Sequence, residues 1–318
     1  MHPAFSVIIF TSFAGAGYGM LFLLGLLAAR QHHPADLGFN LASLALTFLF
    51  MVVGLLSSTK HLKHPERAWR AFSQWRSSWL SREAVAVVLT FGPAGIFAVA
   101  WLVFLRLEGV WTLFPLLSAV GAVAVVACTA QIYASLRTIP EWHQPLVLPL
   151  YLAFALITGT LFVNAVTWSF GVAAPFAPGF ALVLLILGWG MKLLYWRRID
   201  SLKPAVSTSS ATGLGEPGKV RSFDPPHAGP NYVMREMGFH IGRKHADKLR
   251  HIALLLGFLI PGLCCAVMIL LQGPVALLAA WLAALSGLAG VVVERWLFFA
   301  EARHVVTSFY RSTPEPAA

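Results

Sequence analysis

The chain has 318 residues, of which 58% are hydrophobic and 11% charged, with a formal net charge of +10 at neutral pH. Soluble domains carry about 25% charged residues, so this chain has too little polar surface to cover a water-soluble globule and is expected to be an integral membrane protein. Its basic residues sit between apolar runs and form no basic domain, which argues against nucleic acid as a partner and for membrane topology.

A helix needs about 20 apolar residues to cross the hydrocarbon core. Eight runs meet that need and predict an all-α protein: 5–29, 38–59, 84–105, 111–134, 145–168, 177–197, 251–272 and 275–299. The runs are continuous, without the alternation of a membrane barrel. The opening MHPAFSVIIFTSF lacks a basic n-region, and no A-x-A-like site follows, so the first run is expected to be a retained helix. Within it, Gly15-Ala16-Gly17-Tyr18-Gly19 superficially matches a dinucleotide loop, but no strand precedes it. Small residues there favour close helix packing. Gly17 could also leave room for a flat ligand.

Between the second and third runs stands TKHLKHPERAWRAF, residues 59–72. Pro65 should break the helix, and Glu66 to Phe72 can form a short surface helix. Trp69, Trp75 and Trp79 suit the headgroup zone. Ser81 is a plausible N-cap for the third span, with Arg82 and Glu83 in its first turn. The fifth run opens on Pro145 and Pro149, tolerated in a first turn. In the long segment 199–249, SLKPAVSTSSATGLGEPGKV reads as flexible, and YVMREMGFHIGRKHADKLRHIA reads as an interfacial amphipathic helix leading into span seven. Residues 311–318 read as a disordered tail. The whole chain, 1–318, forms one polytopic membrane domain in which eight spans can make two four-helix halves.

With eight spans, 21 of the 23 Lys and Arg residues fall on one face, leaving only Arg30 and Arg106 opposite. The positive-inside rule then puts both termini and the basic loops in the cytoplasm. A basic face also suits docking of a soluble partner.

Cys128, Cys264 and Cys265 have no CxxC spacing, and no zinc or Fe–S ligand set is visible. All eleven histidines lie at or beyond span ends, so neither a haem held within the bilayer nor another metal site is expected in this chain. Gln131, Asn164 and scattered hydroxyls are the polar groups at mid-span. They offer no path of the kind a transporter needs. The interfacial cluster stands apart. Singly, His61 reads as a common interfacial histidine, Glu83 as a carboxylate favoured by the helix dipole, and Arg67 and Arg70 as lipid-phosphate anchors. Together they place an imidazole, a carboxylate and guanidinium groups where two spans end. Quinol oxidation needs proton acceptors beside an apolar slot, and His and Glu can fill that role.

The opening MHPAFSVIIFTSFAGAGYGMLF, the segment HLKHPERAWRAF followed by SWLSREAV, and NYVMREMGFHIGRKHADKLR resemble the membrane-anchor subunits of the dimethyl sulfoxide reductase family. The resemblance covers nearly the whole chain. It implies a bacterial inner-membrane anchor for two soluble subunits, a four-cluster Fe–S electron-transfer protein and a molybdopterin catalytic subunit. It also implies that the anchor binds ubiquinone or menaquinone and holds no haem. Carried over residue by residue, His61 and Glu83 would be the quinone-linked acid–base pair, and Arg67 would orient or stabilise the site. Trp69, Arg70, Ser81, Arg82 and Gly17 would surround them. The chain departs from the family pattern at Lys63 and His64, which precede Pro65, and at Arg82, which precedes Glu83. The family includes cytoplasm-facing sulfite dehydrogenases, and the chain looks slightly more like that branch. A transporter and a purely structural tether are the alternatives from other classes.

Overall fold

The computed structural model describes residues 5–30, 36–60, 64–171, 178–202, 212–213, 220 and 240–305. Among these residues the protein is all-helical, with eight helices long and apolar enough to cross a membrane. They are α1 Phe5–Ala29, α2 Leu37–Thr59, α3 Trp79–Phe104, α4 Gly109–Ala134, α5 Val147–Ser169, α6 Pro178–Asp200, α7 Ala246–Leu270 and α8 Pro274–Ala300. Helices dominate because a bilayer supplies no water to satisfy backbone N–H and C=O groups, and a helix pairs them within the segment.

Two helix starts differ from the sequence expectation by more than a turn, and both move toward the N-terminus. Helix α3 begins at Trp79 rather than 84, and its N-cap is Ser78, whose hydroxyl accepts from the Ser81 amide at 3.4 Å. Ser81 itself is buried inside the first turn. The apolar pair Trp79-Leu80 lets the helix start one turn before the charged Arg82-Glu83 step. Helix α7 begins at Ala246 rather than 251, because the polar run Ala246–Arg250 is helix-compatible even though it is not apolar. A five-residue helix, His240–Lys244, precedes it. The flexible stretch expected in 203–219, most of the amphipathic segment up to Phe239, and the 311–318 tail lie outside the described residues, apart from positions 212 and 213.

The helices close two rings, α1–α2–α3–α4 and α5–α6–α7–α8, joined chiefly by α1 against α5. These two are also the most enclosed, each with 72% of its central residues buried. A helix apolar on every side belongs at the centre of a bundle rather than against lipid on one face. Gly19 and Gly159 make the crossing possible. A Cβ at Gly19 would overlap the Ala155 carbonyl, and one at Gly159 would overlap the backbone of Gly19 and Met20. Small residues at such crossings let backbones approach closely, the main source of attraction between helices in lipid.

A π-helical turn, Phe10–Ala14, interrupts α1, and another, Leu255–Leu259, interrupts α7. The segment joining α4 and α5 lies across the C-terminal ends of α6 and α8. The Trp142 indole donates to the Phe298 carbonyl at 2.9 Å, the Tyr195 hydroxyl donates to the Glu141 carbonyl at 3.0 Å, and the Arg303 amide donates to the Glu141 carboxylate at 3.1 Å.

The central crossing sets an expectation for stability. Gly19→Leu should lower the unfolding midpoint of the detergent-solubilised protein by the equivalent of roughly 1–3 kcal/mol or more. Gly190→Leu, where a Cβ on exposed α6 meets nothing within 4 Å, should leave it unchanged or raise it. Thermal unfolding of the two variants side by side checks this.

Candidate functional site

The segment ahead of α3 is a 3-10 helix, Pro65–Gln74, with no buried residue. Arg82 ties its end to α3. The guanidinium donates to the Trp75 and Arg76 carbonyls at 3.0 and 2.7 Å and lies 4.2 Å from the Trp79 ring centre. Successive helix residues point in different directions, so the next side chain turns inward. Glu83 is 5% exposed. Its partner is the Thr129 hydroxyl on α4, which donates to Glu83 Oε1. The same hydroxyl lies 3.0 Å from the Val125 carbonyl. A hydroxyl has one proton to give, so it can donate to an ionised Glu83, or donate to Val125 while accepting from a protonated Glu83. Among the described residues no Lys, Arg or His lies within ion-pair distance of Glu83.

Beyond Thr129 lies a cavity of about 20 Å³, bounded by the π-turn of α1 and by α4, α5 and α8. Its polar lining comprises Ser12, Tyr18, Thr129, Tyr151, Thr158 and Arg295, with Thr11 beside them. The Ser12, Tyr18 and Tyr151 hydroxyls are buried and have no protein hydrogen-bond partner, and the same holds for Arg295 Nε. Buried polar groups are normally satisfied by protein or ordered water. A cavity of this size and lining has room for a water molecule and none for an aromatic ring.

On its far side the cavity meets a chain of charges. Arg295, 2% exposed, rests 3.6 Å from the centre of the Tyr151 ring. Its Nε lies 3.4 Å from Glu294 Oε2, an ion pair without hydrogen-bond geometry. Glu294 Oε1 accepts from Lys192 Nζ at 2.5 Å, and both side chains are almost fully buried. Arg250 joins Glu301 at 2.7 Å and Asp200 at 2.7 and 2.8 Å, and Asp200 is half-exposed. Burial raises the Glu301 carboxyl from its ordinary value, opposed by the Arg250 and Lys192 charges. Three cations and three carboxylates therefore lie between the cavity wall and the surface in two contact groups, Arg295–Glu294–Lys192 and Glu301–Arg250–Asp200, linked by the attraction between the Lys192 and Glu301 charges.

The structure distributes the residues singled out in the sequence as follows. His61 lies outside the described residues. Arg67 is exposed and pairs with Glu66 at 3.7 Å, so it is not brought to the buried Glu83. Trp69 is exposed, with Arg70 stacked 5.7 Å from its ring centre. Gly17 faces α2, where a Cβ would lie 2.7 Å from Met51 Cγ and 2.8 Å from its amide nitrogen. Its small size serves helix packing and leaves no slot for a flat ligand at that position. Among the described residues no cluster of His, Cys, Asp and Glu is placed to hold a metal ion.

Sequence reasoning missed the buried charges. Lys192 and Arg295 counted toward the basic face, yet both lie inside α6 and α8 and are buried. The available signal was Glu294-Arg295, two adjacent charges more than a turn before the end of a 27-residue apolar helix. Such intramembrane ions face the bundle interior and pair with one another. Nothing in the sequence marks Tyr18, Thr129 and Tyr151 as neighbours.

Residues 1–300 match the family model of the DMSO reductase anchor subunit (DmsC). The chain is 34% identical to a sulfite dehydrogenase subunit of Allochromatium vinosum over 333 aligned residues, covering 98% of this chain and 99% of that protein. It is 26% identical to the anaerobic dimethyl sulfoxide reductase chain YnfH of Escherichia coli K12 over 214 residues, 64% of this chain and 72% of that protein.

The buried ions set a second expectation for stability. Glu294→Gln leaves Lys192 and Arg295 uncompensated and should destabilise the protein by roughly 3–5 kcal/mol. Lys192→Met combined with Glu294→Gln removes both members of the closest pair and should cost less than the single change. Unfolding midpoints in detergent compare the two.

Proposed function

Because the chain belongs to the DMSO reductase anchor subunit family, a group of multi-pass membrane anchors, we propose that it binds quinone and passes electrons between the membrane pool and a partner Fe–S subunit of a molybdenum oxidoreductase. The observation that carries this is Glu83, a buried carboxyl one turn inside α3 whose described partner is a hydroxyl rather than a cation. A structural carboxylate in a bundle would be expected to have a cation, as Glu294 and Glu301 do. Glu83 is instead equipped to gain and lose a proton, with Thr129 following its state by turning its single O–H.

The residues fit a quinone head group chemically. They offer a proton carrier, a hydroxyl and an apolar bundle for the isoprenoid tail. The cavity beyond Thr129 is too small for the ring, so the ring would meet Glu83 from the side of the 64–83 segment. Quinone chemistry supplies two electrons and two protons per molecule. Glu83 takes or gives a proton at its carboxyl oxygen, and His61 would serve the second. The chain holds these groups and excludes bulk water, and the electrons would pass between the quinone and metal centres held by the partner. Arg67, Arg70 and Arg76, exposed on the same segment, form part of the surface on which that partner docks. That surface faces the cytoplasm by the positive-inside rule. The extent and identity of the match to the Allochromatium vinosum sulfite dehydrogenase protein favour the sulfite-oxidising branch, with the anchor delivering electrons to quinone.

Glu83→Gln in the assembled complex should lower quinone-linked turnover roughly a hundredfold. Subunit assembly and turnover with a soluble artificial electron acceptor should persist. Wild-type quinone rates in that variant would remove Glu83 from the mechanism. Attachment of the soluble subunits to membranes should weaken as salt rises, because exposed charges are screened. Washing membranes at low and high ionic strength and assaying the released subunits measures this; equal release would point to apolar docking.

A further inference from the structure

We infer that the water-sized cavity and the buried ions beyond it form a proton path linking Glu83 to the Lys192–Glu294 pair and on to Glu301 at the end of α8. This inference rests on the proposed role of Glu83 at the quinone.

Four observations on separate helices converge on it. Thr129 is shared: it bonds Glu83 on one side and lines the cavity on the other. The cavity gathers three buried hydroxyls that lack protein partners, Ser12, Tyr18 and Tyr151, from α1 and α5. A π-turn in α1 supplies Ser12 at this level, and such turns recur at functional sites. Arg295 closes the cavity and touches Glu294, which pairs with Lys192, and the Glu301–Arg250–Asp200 group lies beyond, with the Glu301 carboxyl under the influence of the Lys192 charge.

A packing role alone accounts poorly for this arrangement. Three unsatisfied hydroxyls around a dry void would each carry a desolvation cost, which phenylalanine or alanine would avoid. Water bridging them satisfies all three and connects groups that do not touch. Hydroxyls and water each donate and accept, so they pass protons by exchange. The Arg295 guanidinium offers donors only and does not relay protons. Its charge orients the water, and Glu294, between Arg295 and Lys192, offsets it. The far side of the path faces Lys192, Glu301, Arg250 and Asp200, and the near side faces Glu83 alone among the described carboxylates.

The transfer balances. When hydroquinone is oxidised, its two electrons would go to the partner's metal centres, one proton to the Glu83 carboxylate and the other to His61. The Glu83 O–H bond then breaks as the Thr129 hydroxyl and cavity water accept that proton and hand on one of their own. One proton reaches the Lys192–Glu294 pair for each one leaving Glu83, and one is released through the neighbouring Glu301 carboxyl, since the Arg250 guanidinium beyond it does not relay protons. Quinone reduction runs the same chain in reverse.

The test uses the assembled complex with its soluble subunits. It compares wild type, Glu83→Gln, the double variant Tyr18→Phe with Tyr151→Phe, and the double variant Lys192→Met with Glu294→Gln. Each is assayed for binding of a quinone-analogue inhibitor by fluorescence quenching and for quinone-linked turnover in H2O and D2O. The tyrosine variant removes two unpartnered hydroxyls without changing the packing, so it is expected to assemble. It should bind the analogue as wild type does, turn over about tenfold more slowly or worse, and show an increased solvent isotope effect. The Lys192/Glu294 variant should behave alike. Wild-type turnover and isotope effect in either assembled variant would overturn the path. Loss of analogue binding in the tyrosine variant would also overturn it, since the hydroxyls would then hold the ligand. If Glu83→Gln itself matches wild type, the quinone role of Glu83 fails. If Glu83→Gln is inactive while the tyrosine variant is normal, the path alone fails.

Discussion

A polar group inside a bilayer has no water to turn to, and the whole structure is arranged around that constraint. It makes every spanning segment helical and brings α1 and α5 together through Gly19 and Gly159. It also requires each buried ion to find its counterpart within the bundle. Lys192, Arg295 and Arg250 do so with Glu294, Glu301 and Asp200. Glu83 stands apart from this balance, held by Thr129. The bundle thus holds a compensated set of charges and, apart from it, one buried carboxyl with a hydroxyl partner.

The two kinds of site occupy one end of the bundle. Glu83 lies one turn into α3, and Glu294 and Arg295 lie in the last two turns of α8. The segment between α4 and α5 packs across the ends of α6 and α8 at the same end. The buried ionisable groups are thereby concentrated at the end of the bundle that carries the exposed 3-10 helix Pro65–Gln74. Among the described residues the opposite half of the bundle holds no buried Lys, Arg, Asp or Glu, and its buried polar groups are neutral, such as Asn40, Ser43 and Asn164.

Much of this is legible in the sequence. Continuous apolar runs give eight spans because length and hydropathy are linear properties, and most boundaries follow to within a few residues. Glu83 is visible because a carboxylate just inside an apolar run is rare. Ser78 is harder to single out as the N-cap over Ser81, since two serines three residues apart offer the same local signal and the start of the helix decides between them. Lys192 and Arg295 pass for face charges because a tally by loop ignores which way a side chain points. The meeting of Ser12, Tyr18, Thr129 and Tyr151 is a tertiary fact. Each alone is an ordinary span residue, and only the crossing of α1, α4 and α5 makes them a lining.

The most direct measurement is a structure of the assembled complex with a bound quinone analogue. The account predicts a head-group oxygen within hydrogen-bond reach of the Glu83 carboxyl, about 3 Å, at the end of the bundle that carries the Pro65–Gln74 helix. A head group seated at the opposite end, near Arg30 and Arg106, would contradict it.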